Sequence, residues 1–485
     1  MQNNLRTKTI AGFMWSFFER IGAHLVSFIV SIVLARLLLP EEYGIIAIVL
    51  VFINICNVFV NNSFAVSLVQ KKDADEIDFS SVFYFNIIFS VLLYILLYFC
   101  APYIAIFYDM PILVPVIRVL SVCIIFSAAN SVQKAKVSRS MQFKKFFFST
   151  LAGTIISAVI GIGMAYIGYG IWALVAQYLI NSIVNTIVLF VTVKWIPKRV
   201  FSIKKLKILF NYGWKILVSG LISVFYEEFR SLYIGKLYSA NDLAYYTRGK
   251  QFPHLIVDNV NSSIAGVFFP LISKKQDNIA DAKAIMKRTI KTSTYILTPL
   301  LIGLAAVAEP LVILFLTEKW FPCVPFLRVI CINSALMPLL TANLQAINAL
   351  GRSDIALKME FAEKSCGILM ILLFARINVI AIAWIGVVMS IVALIIYTSQ
   401  SKKLLNYGIL EQLKDVCPTW IISFVMMMIT MSITLLNFSI IVEFIIMILV
   451  GILTYILLSL IFKNESFIYL LNIIKPMVKR ILKKK

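Results

Sequence analysis

Apolar residues along this chain fall into long runs separated by short, charge-bearing stretches. The runs cover 11–35, 43–62, 82–107, 112–130, 147–168, 171–193, 209–235, 251–272, 292–316, 323–345, 355–375, 378–399, 417–436 and 440–462. Each is long enough to cross a hydrocarbon core of roughly 30 Å as a helix. The pattern predicts an all-α polytopic membrane protein with fourteen transmembrane helices. The first run does not look like a cleavable signal, because no small-residue cleavage site follows it and Arg36 leads straight into the next run.

Composition agrees. Hydrophobic residues make up 61% of the 485 residues and charged residues 14%, with a mean hydropathy of +0.93. A soluble domain carries roughly 25% charged residues. The seven cysteines lie in or beside apolar runs, with no spacing that suggests zinc or a disulfide framework, so they read as small buried hydrophobes.

The net charge of +22 changes the picture only through its distribution. The N-terminus and every second loop hold 33 of the 45 lysines and arginines; the intervening loops hold six and the apolar runs six. By the positive-inside rule both termini are then cytoplasmic. The surplus reads as a topology signal and an attraction to anionic headgroups, not as a nucleic-acid surface. The tail 466–485, with Phe467, Leu470, Leu471 and Ile474 among lysines, reads either as a segment on the inner leaflet or as a disordered basic tail.

The chain also repeats itself. Pro115-Val-Ile-Arg118-Val119 recurs as Pro325-Phe-Leu-Arg328-Val329, and Ala129-Asn130, Arg139-Ser140 and Lys145 recur as Ala342-Asn343, Arg352-Ser353 and Lys358. Arg36-Leu37 matches Lys236-Leu237. Such an ordered series makes spans 1–6 and 7–12 two copies of one unit in the same orientation, related by an axis along the membrane normal. The expected organisation is a six-helix lobe over 1–193, a basic cytoplasmic linker at 194–208 and a second six-helix lobe over 209–400. Two extra helices follow within 401–462, and a basic tail over 463–485.

The Gly12-x-x-Trp15 opening, the span-1 exit Ala35-Arg36-Leu-Leu-Leu-Pro40-Glu-Glu-Tyr43-Gly44 and the segment Tyr169-Gly170-Ile-Trp172-Ala173-Leu174 carry a resemblance. With the 6 + 6 + 2 arrangement, the whole chain resembles the polysaccharide-exporting flippases (Wzx-type, O-antigen or teichuronic-acid) of the multidrug/oligosaccharidyl-lipid/polysaccharide superfamily. The resemblance implies a V-shaped, two-lobed fold in the bacterial cytoplasmic (inner) membrane. It implies transfer of an undecaprenyl-diphosphate-linked oligosaccharide from inner to outer leaflet, in the synthesis of a lipopolysaccharide, O-antigen or exopolysaccharide. Membrane lipids, and the polysaccharide polymerase and export machinery, are the partners it suggests. It suggests no cofactor and no metal.

Charges inside spans are costly and usually face a cavity. A diphosphate head needs cations in a water-filled cleft, and arginine can bind two of its oxygens at once. The candidates are Arg20, His24, Lys215, Arg230, Lys364, Arg118 and Arg328. Arg20 lies about ten residues into span 1, roughly 15 Å from its start, and shares a face with His24. The lipid-flipping relatives similarly carry a cavity-facing arginine there; the competing reading is an ion pair with Glu19. Arg118 and Arg328 occupy equivalent places in the two copies, as a paired gate or as snorkelling side chains. The candidate ion-coupling carboxylates, for H⁺ or Na⁺, are Glu19, Glu227, Glu228, Asp258, Glu360 and Glu363. Glu227 can pair with Arg230 on one helical face, and Glu360 with Lys364.

Two rivals remain from sequence alone. A drug/cation antiporter of the same superfamily would usually have twelve spans and an acidic cavity. A membrane enzyme of glycan assembly would need a catalytic constellation, and Asp73-Ala74-Asp75 sits on a short charged loop with no nucleotide-binding domain around it. Transport without enzymatic chemistry is the expectation.

Overall fold

The computed structural model describes residues 26–61, 64–142, 144–275 and 278–472, and among these there is helix but no strand. The helices are α1 (Val26–Leu37), α2 (Pro40–Asn61), α3 (Phe64–Gln70), α4 (Glu76–Tyr108), α5 (Leu113–Leu120), α6 (Cys123–Arg139), α7 (Lys144–Ile167), α8 (Ile171–Val193) and α9 (Ile203–Leu237). They continue as α10 (Ala240–Ser273), α11 (Ile279–Ala306), α12 (Ala308–Leu316), α13 (Val324–Ser334), α14 (Met337–Ala349), α15 (Ser353–Phe374), α16 (Val379–Leu405), α17 (Ile409–Ser432), α18 (Ile440–Ile461) and a last helix, α19, at 465–472.

Among the described residues nine helical stretches are long and apolar enough to span a membrane, or eleven if α9 and the α11–α12 pair each count as one bent span. That is consistent with fourteen. Of the other three, α1 is short in its described part, while α10 and α15 carry too many polar residues to qualify. The chain divides by packing into two compact units, Met1–Ala244 and Tyr245–Lys485. "Inner" and "outer" below denote the sides assigned by the lysine and arginine count.

In the first unit α7 packs along α8, α6 lies between α4 and α8, and α9 packs on α2, α3 and α4. Asp75 caps α4: its side chain accepts from the Asp78 amide, and the Asp78 side chain accepts in return from the Asp75 amide. The Lys205 ammonium donates to Asp75 and, with the capping bonds, holds its carboxyl down at about 2. The linker that follows α8 is fastened down rather than free. The Lys198 and Ser202 amides donate to Ser80 and Ser81 Oγ at 3.0 and 2.9 Å, and Gln133 donates to the Trp195 carbonyl at 2.9 Å. The Trp195 indole donates to Glu76 at 2.6 Å.

In the second unit α17 packs along α11, with α16 against α13, α14 and α15. Its core gathers Met286, Ile290, Leu339, Ile347, Tyr397 and Val416. The repeated asparagines are hubs in both units. Asn130 donates to Thr186 at 2.8 Å; Asn343 exchanges hydrogen bonds with Gln412 and accepts from Ser401 at 2.6 Å. Both asparagines are almost fully buried, where an unpaired amide would cost most.

Prolines inside the spans free carbonyls that recruit partners. Pro299 has no N–H, so the Tyr295 carbonyl loses its helical donor; the Tyr455 hydroxyl of α18 donates to it at 2.8 Å. This is part of what seats α18 on α11. The start of the tail packs on protein: Phe467 and Leu470 join Tyr295, Ile422, Met426 and Tyr455, and Glu465 pairs with Lys291. Residues 473–485 lie outside the described chain. Of the cysteines, Cys56, Cys323 and Cys331 are buried, Cys100 and Cys123 partly so, and Cys366 and Cys417 exposed; all seven are free. The last two depart from the expected burial because they sit on the outward faces of α15 and α17.

Candidate functional site

The first unit presents its intramembrane charges on α9, which bends by 57° between Asn211 and Gly213. Leu206 and Leu209, before the bend, bury against Phe64 and Leu68. After it, Trp214, Lys215, Val218, Phe225 and Glu227 stand exposed. Glu228 then returns to the bundle, where Asn54 of α2 donates to its carboxylate at 2.9 Å. Arg230 is half-buried, donates to the Tyr226 hydroxyl at 3.2 Å and sits 5.5 Å from its ring centroid. The anticipated partner of Arg230, Glu227, stays exposed; Arg230 turns to Tyr226, one helical turn back, whose ring and hydroxyl both suit a guanidinium.

Towards the outer side α9 closes onto its neighbours. The Tyr108 hydroxyl donates to the Leu232 carbonyl at 3.3 Å, and Lys236 donates to the Phe107 carbonyl with Asp109 at 3.4 Å. A Cβ on Gly235 would lie 3.2 Å from Ile48. At the end of this seam a Cβ on Gly44 would lie 1.8 Å from the Ala240 carbonyl oxygen, so the α2 and α10 backbones touch directly there.

In the second unit α15 carries three of the candidate charges. Glu360 and Lys364 pair at 3.6 Å, as their spacing predicts, and the buried Tyr397 of α16 donates to Glu363 at 2.5 Å. Asp258 is exposed on α10.

Arg118 and Arg328 have parallel surroundings, each within its own unit. Arg118 lies 4.2 Å from the Tyr98 ring centroid and directs Nε at the Tyr98 carbonyl at 3.5 Å, the carbonyl that Pro102 deprives of a donor. Arg328 donates from Nε to the Ala305 carbonyl at 3.3 Å, in the last turn of α11 before the 68° break to α12, and lies 3.5 Å from Glu309. Both arginines serve backbone carbonyls, one deprived of its helical donor by Pro102 and one beside the α11–α12 break. The remaining candidates, Glu19, Arg20 and His24, lie outside the described residues.

Sequence reasoning missed Asn54 and Tyr397. A polar Asn54 within an apolar run was a visible signal. Tyr397 carried none, because a tyrosine in a span is ordinary. Among the described residues no cluster of His, Cys, Asp and Glu could hold a metal ion.

The sequence model of a polysaccharide biosynthesis protein family matches residues 33–325, more than half of the chain. The chain belongs to this family. Relatives of this polysaccharide biosynthesis protein include the succinoglycan biosynthesis transport protein ExoT of Rhizobium meliloti, 24% identical over 67% of this chain and 65% of that protein. The teichuronic acid biosynthesis protein TuaB of Bacillus subtilis is 28% identical over 69% of this chain and 70% of its own. The lipopolysaccharide biosynthesis protein WzxC of Escherichia coli is 21% identical over 74% and 73%. The alignments thus span only about two thirds to three quarters of each relative. Among solved structures, the lipid II flippase MurJ in an inward closed conformation matches with a TM-score of 0.75 at 18% identity, covering 94% of this chain and all of that one. An inward-facing multidrug resistance MATE family transporter of the MOP superfamily matches at 0.62 and 15% identity, over 79% and 96%. The fold is therefore like that of MurJ and of this MATE family transporter, in line with the sequence resemblance.

Proposed function

We propose that this family member is a flippase that moves an undecaprenyl-diphosphate-linked polysaccharide repeat unit from the inner to the outer leaflet of a bacterial cytoplasmic membrane by alternating access. The family match over residues 33–325 carries the reading. The names of ExoT, TuaB and WzxC, and the MurJ-like fold, support it. Chemistry supports it too, because Lys215 stands exposed on α9, and Arg230 and Lys364 are only partly buried. Each of them, like Arg20 and His24 in the sequence, is a proposed cation for a diphosphate. Glu228, which accepts from Asn54, and Glu363, which accepts from Tyr397, are the proposed ion-coupling carboxylates, because binding a proton or a cation removes the cost of holding a charge within a span.

The test is a deletion strain in which surface polysaccharide and the pool of undecaprenyl-linked sugars are measured together. Surface glycan should disappear while complete lipid-linked repeat units accumulate at the inner leaflet. Restoring the gene should reverse both, and restoring it with Arg20→Ala should reverse neither at equal protein abundance. Persistent surface glycan with an unchanged lipid pool would move the reading to a drug or cation antiporter. Truncated lipid-linked sugars would move it to an enzyme of assembly.

A further inference from the structure

Near the turn from α15 to α16 the second unit has an open groove of about 430 Å³. Met370, Phe374, Ile380, Ala381, Trp384 and Val388 line it, with Asn378 at the rim. The shape follows from the turn between the helices. α15 ends at Phe374, and Asn378 starts α16 by accepting from the Ala381 amide at 2.6 Å. The small side chain of Ala381 then leaves the space between Phe374 and Trp384 unfilled. Those two rings remain 42% and 47% exposed, so the groove opens sideways, where lipid chains would lie.

The turn that closes the groove carries Arg376, flanked by the lining residues Phe374 and Asn378. Arg376 is exposed, and among the described residues it makes no hydrogen bond, ion pair or ring contact. Two other basic residues assigned to this side, by contrast, are engaged: Lys236 by Asp109 and the Phe107 carbonyl, and Arg248 by Gln251 and the Trp320 ring. An apolar slot for a hydrocarbon chain, capped by an uncommitted guanidinium at headgroup level, is complementary to an anionic lipid. We infer that the α15–α16 groove is a binding site for an anionic phospholipid of the outer leaflet, with one acyl chain between Phe374 and Trp384 and its phosphate on Arg376. Bilayer phospholipid is favoured over a polyprenyl carrier by mass action, because the groove opens directly to the surrounding membrane. The inference does not depend on the transported substrate.

The experiment is native mass spectrometry of the full chain, released from nanodiscs containing phosphatidylglycerol and phosphatidylethanolamine in equal amounts. Wild type should retain one phosphatidylglycerol with a preference of about tenfold, the scale of one charge-assisted contact. Arg376→Gln should abolish the preference and Arg376→Lys keep part of it. Ala381→Phe, which fills the slot, should reduce retention of both lipids. Size-exclusion profiles check that each variant is folded, and the lysine variant preserves the charge if glutamine does not fold. Equal retention of the two lipids by wild type, or unchanged preference in Arg376→Gln, would overturn the site. Retention of added undecaprenyl phosphate that phosphatidylglycerol cannot displace would overturn the assigned occupant.

Discussion

Pro102 explains Arg118 better than the idea of a gate does. A proline inside α4 leaves the Tyr98 carbonyl without its helical donor, and an unpaired carbonyl away from water is costly. Arg118 reaches that carbonyl and covers the Tyr98 ring, while Arg328 treats Ala305 in the same way at the α11–α12 break. Replacing either arginine by alanine should therefore lower stability by about 1–3 kcal/mol, the usual cost of leaving a polar group unpaired away from water. Transport per folded molecule should be nearly unchanged. Thermal unfolding in detergent and a transport assay normalised to folded protein separate the two roles. Normal stability with lost transport would restore the gate. At this scale the sequence was only half legible. The repeat exposed the pairing of Arg118 with Arg328, and Pro102 was in view, but which carbonyl an arginine meets depends on neighbouring helices that no local pattern encodes. The bond from Tyr397 to Glu363 was hidden for the same reason.

At the scale of elements, the spans themselves were plain, because hydrocarbon tolerates only backbone that satisfies itself, and about 20 apolar residues are needed to cross. Helices α10 and α15 show the limit of that signal: each mixes charged and polar residues with its apolar ones, so neither is apolar enough to stand out as a span. The seam between α2 and the α9–α10 corner was not foreseen. Its contacts descend in antiparallel order from Gly44 with Ala240, through Ile48 with Gly235, to Asn54 with Glu228. Gly44 is the point where nothing can yield, because a Cβ there meets backbone rather than a side chain. Gly44→Ala should thus push α10 off α2 at the outer end, with a cost of about 1–3 kcal/mol typical of overpacking. Thermal unfolding in detergent reads that cost: Gly44→Ala should unfold at a lower temperature than wild type. An unchanged midpoint would mean that the seam absorbs the methyl group elsewhere.

At the scale of the whole molecule, the strongest sequence inference is the parallel repeat, because it commits equivalent loops to the same side of the membrane. Two positions beside the outer turns, Tyr169 before α8 and Ile377 before α16, are exposed; so are Met141 and Arg352 at the turns that precede α7 and α15. The lysine and arginine count places the first pair outside and the second inside. Single cysteines at these sites, in a background lacking the seven native ones, should separate cleanly. Tyr169→Cys and Ile377→Cys should react with a membrane-impermeant maleimide in intact cells, or in spheroplasts where an outer membrane intervenes. Met141→Cys and Arg352→Cys should react only after permeabilisation. Six spans lie between Tyr169 and Ile377, so one miscounted helix between 171 and 375 would put the two on opposite sides. That result would invert the second copy relative to the first and undo the parallel repeat. All four sites reversed together would leave the repeat standing and overturn only the orientation, and with it the placement of Arg376 in the outer leaflet.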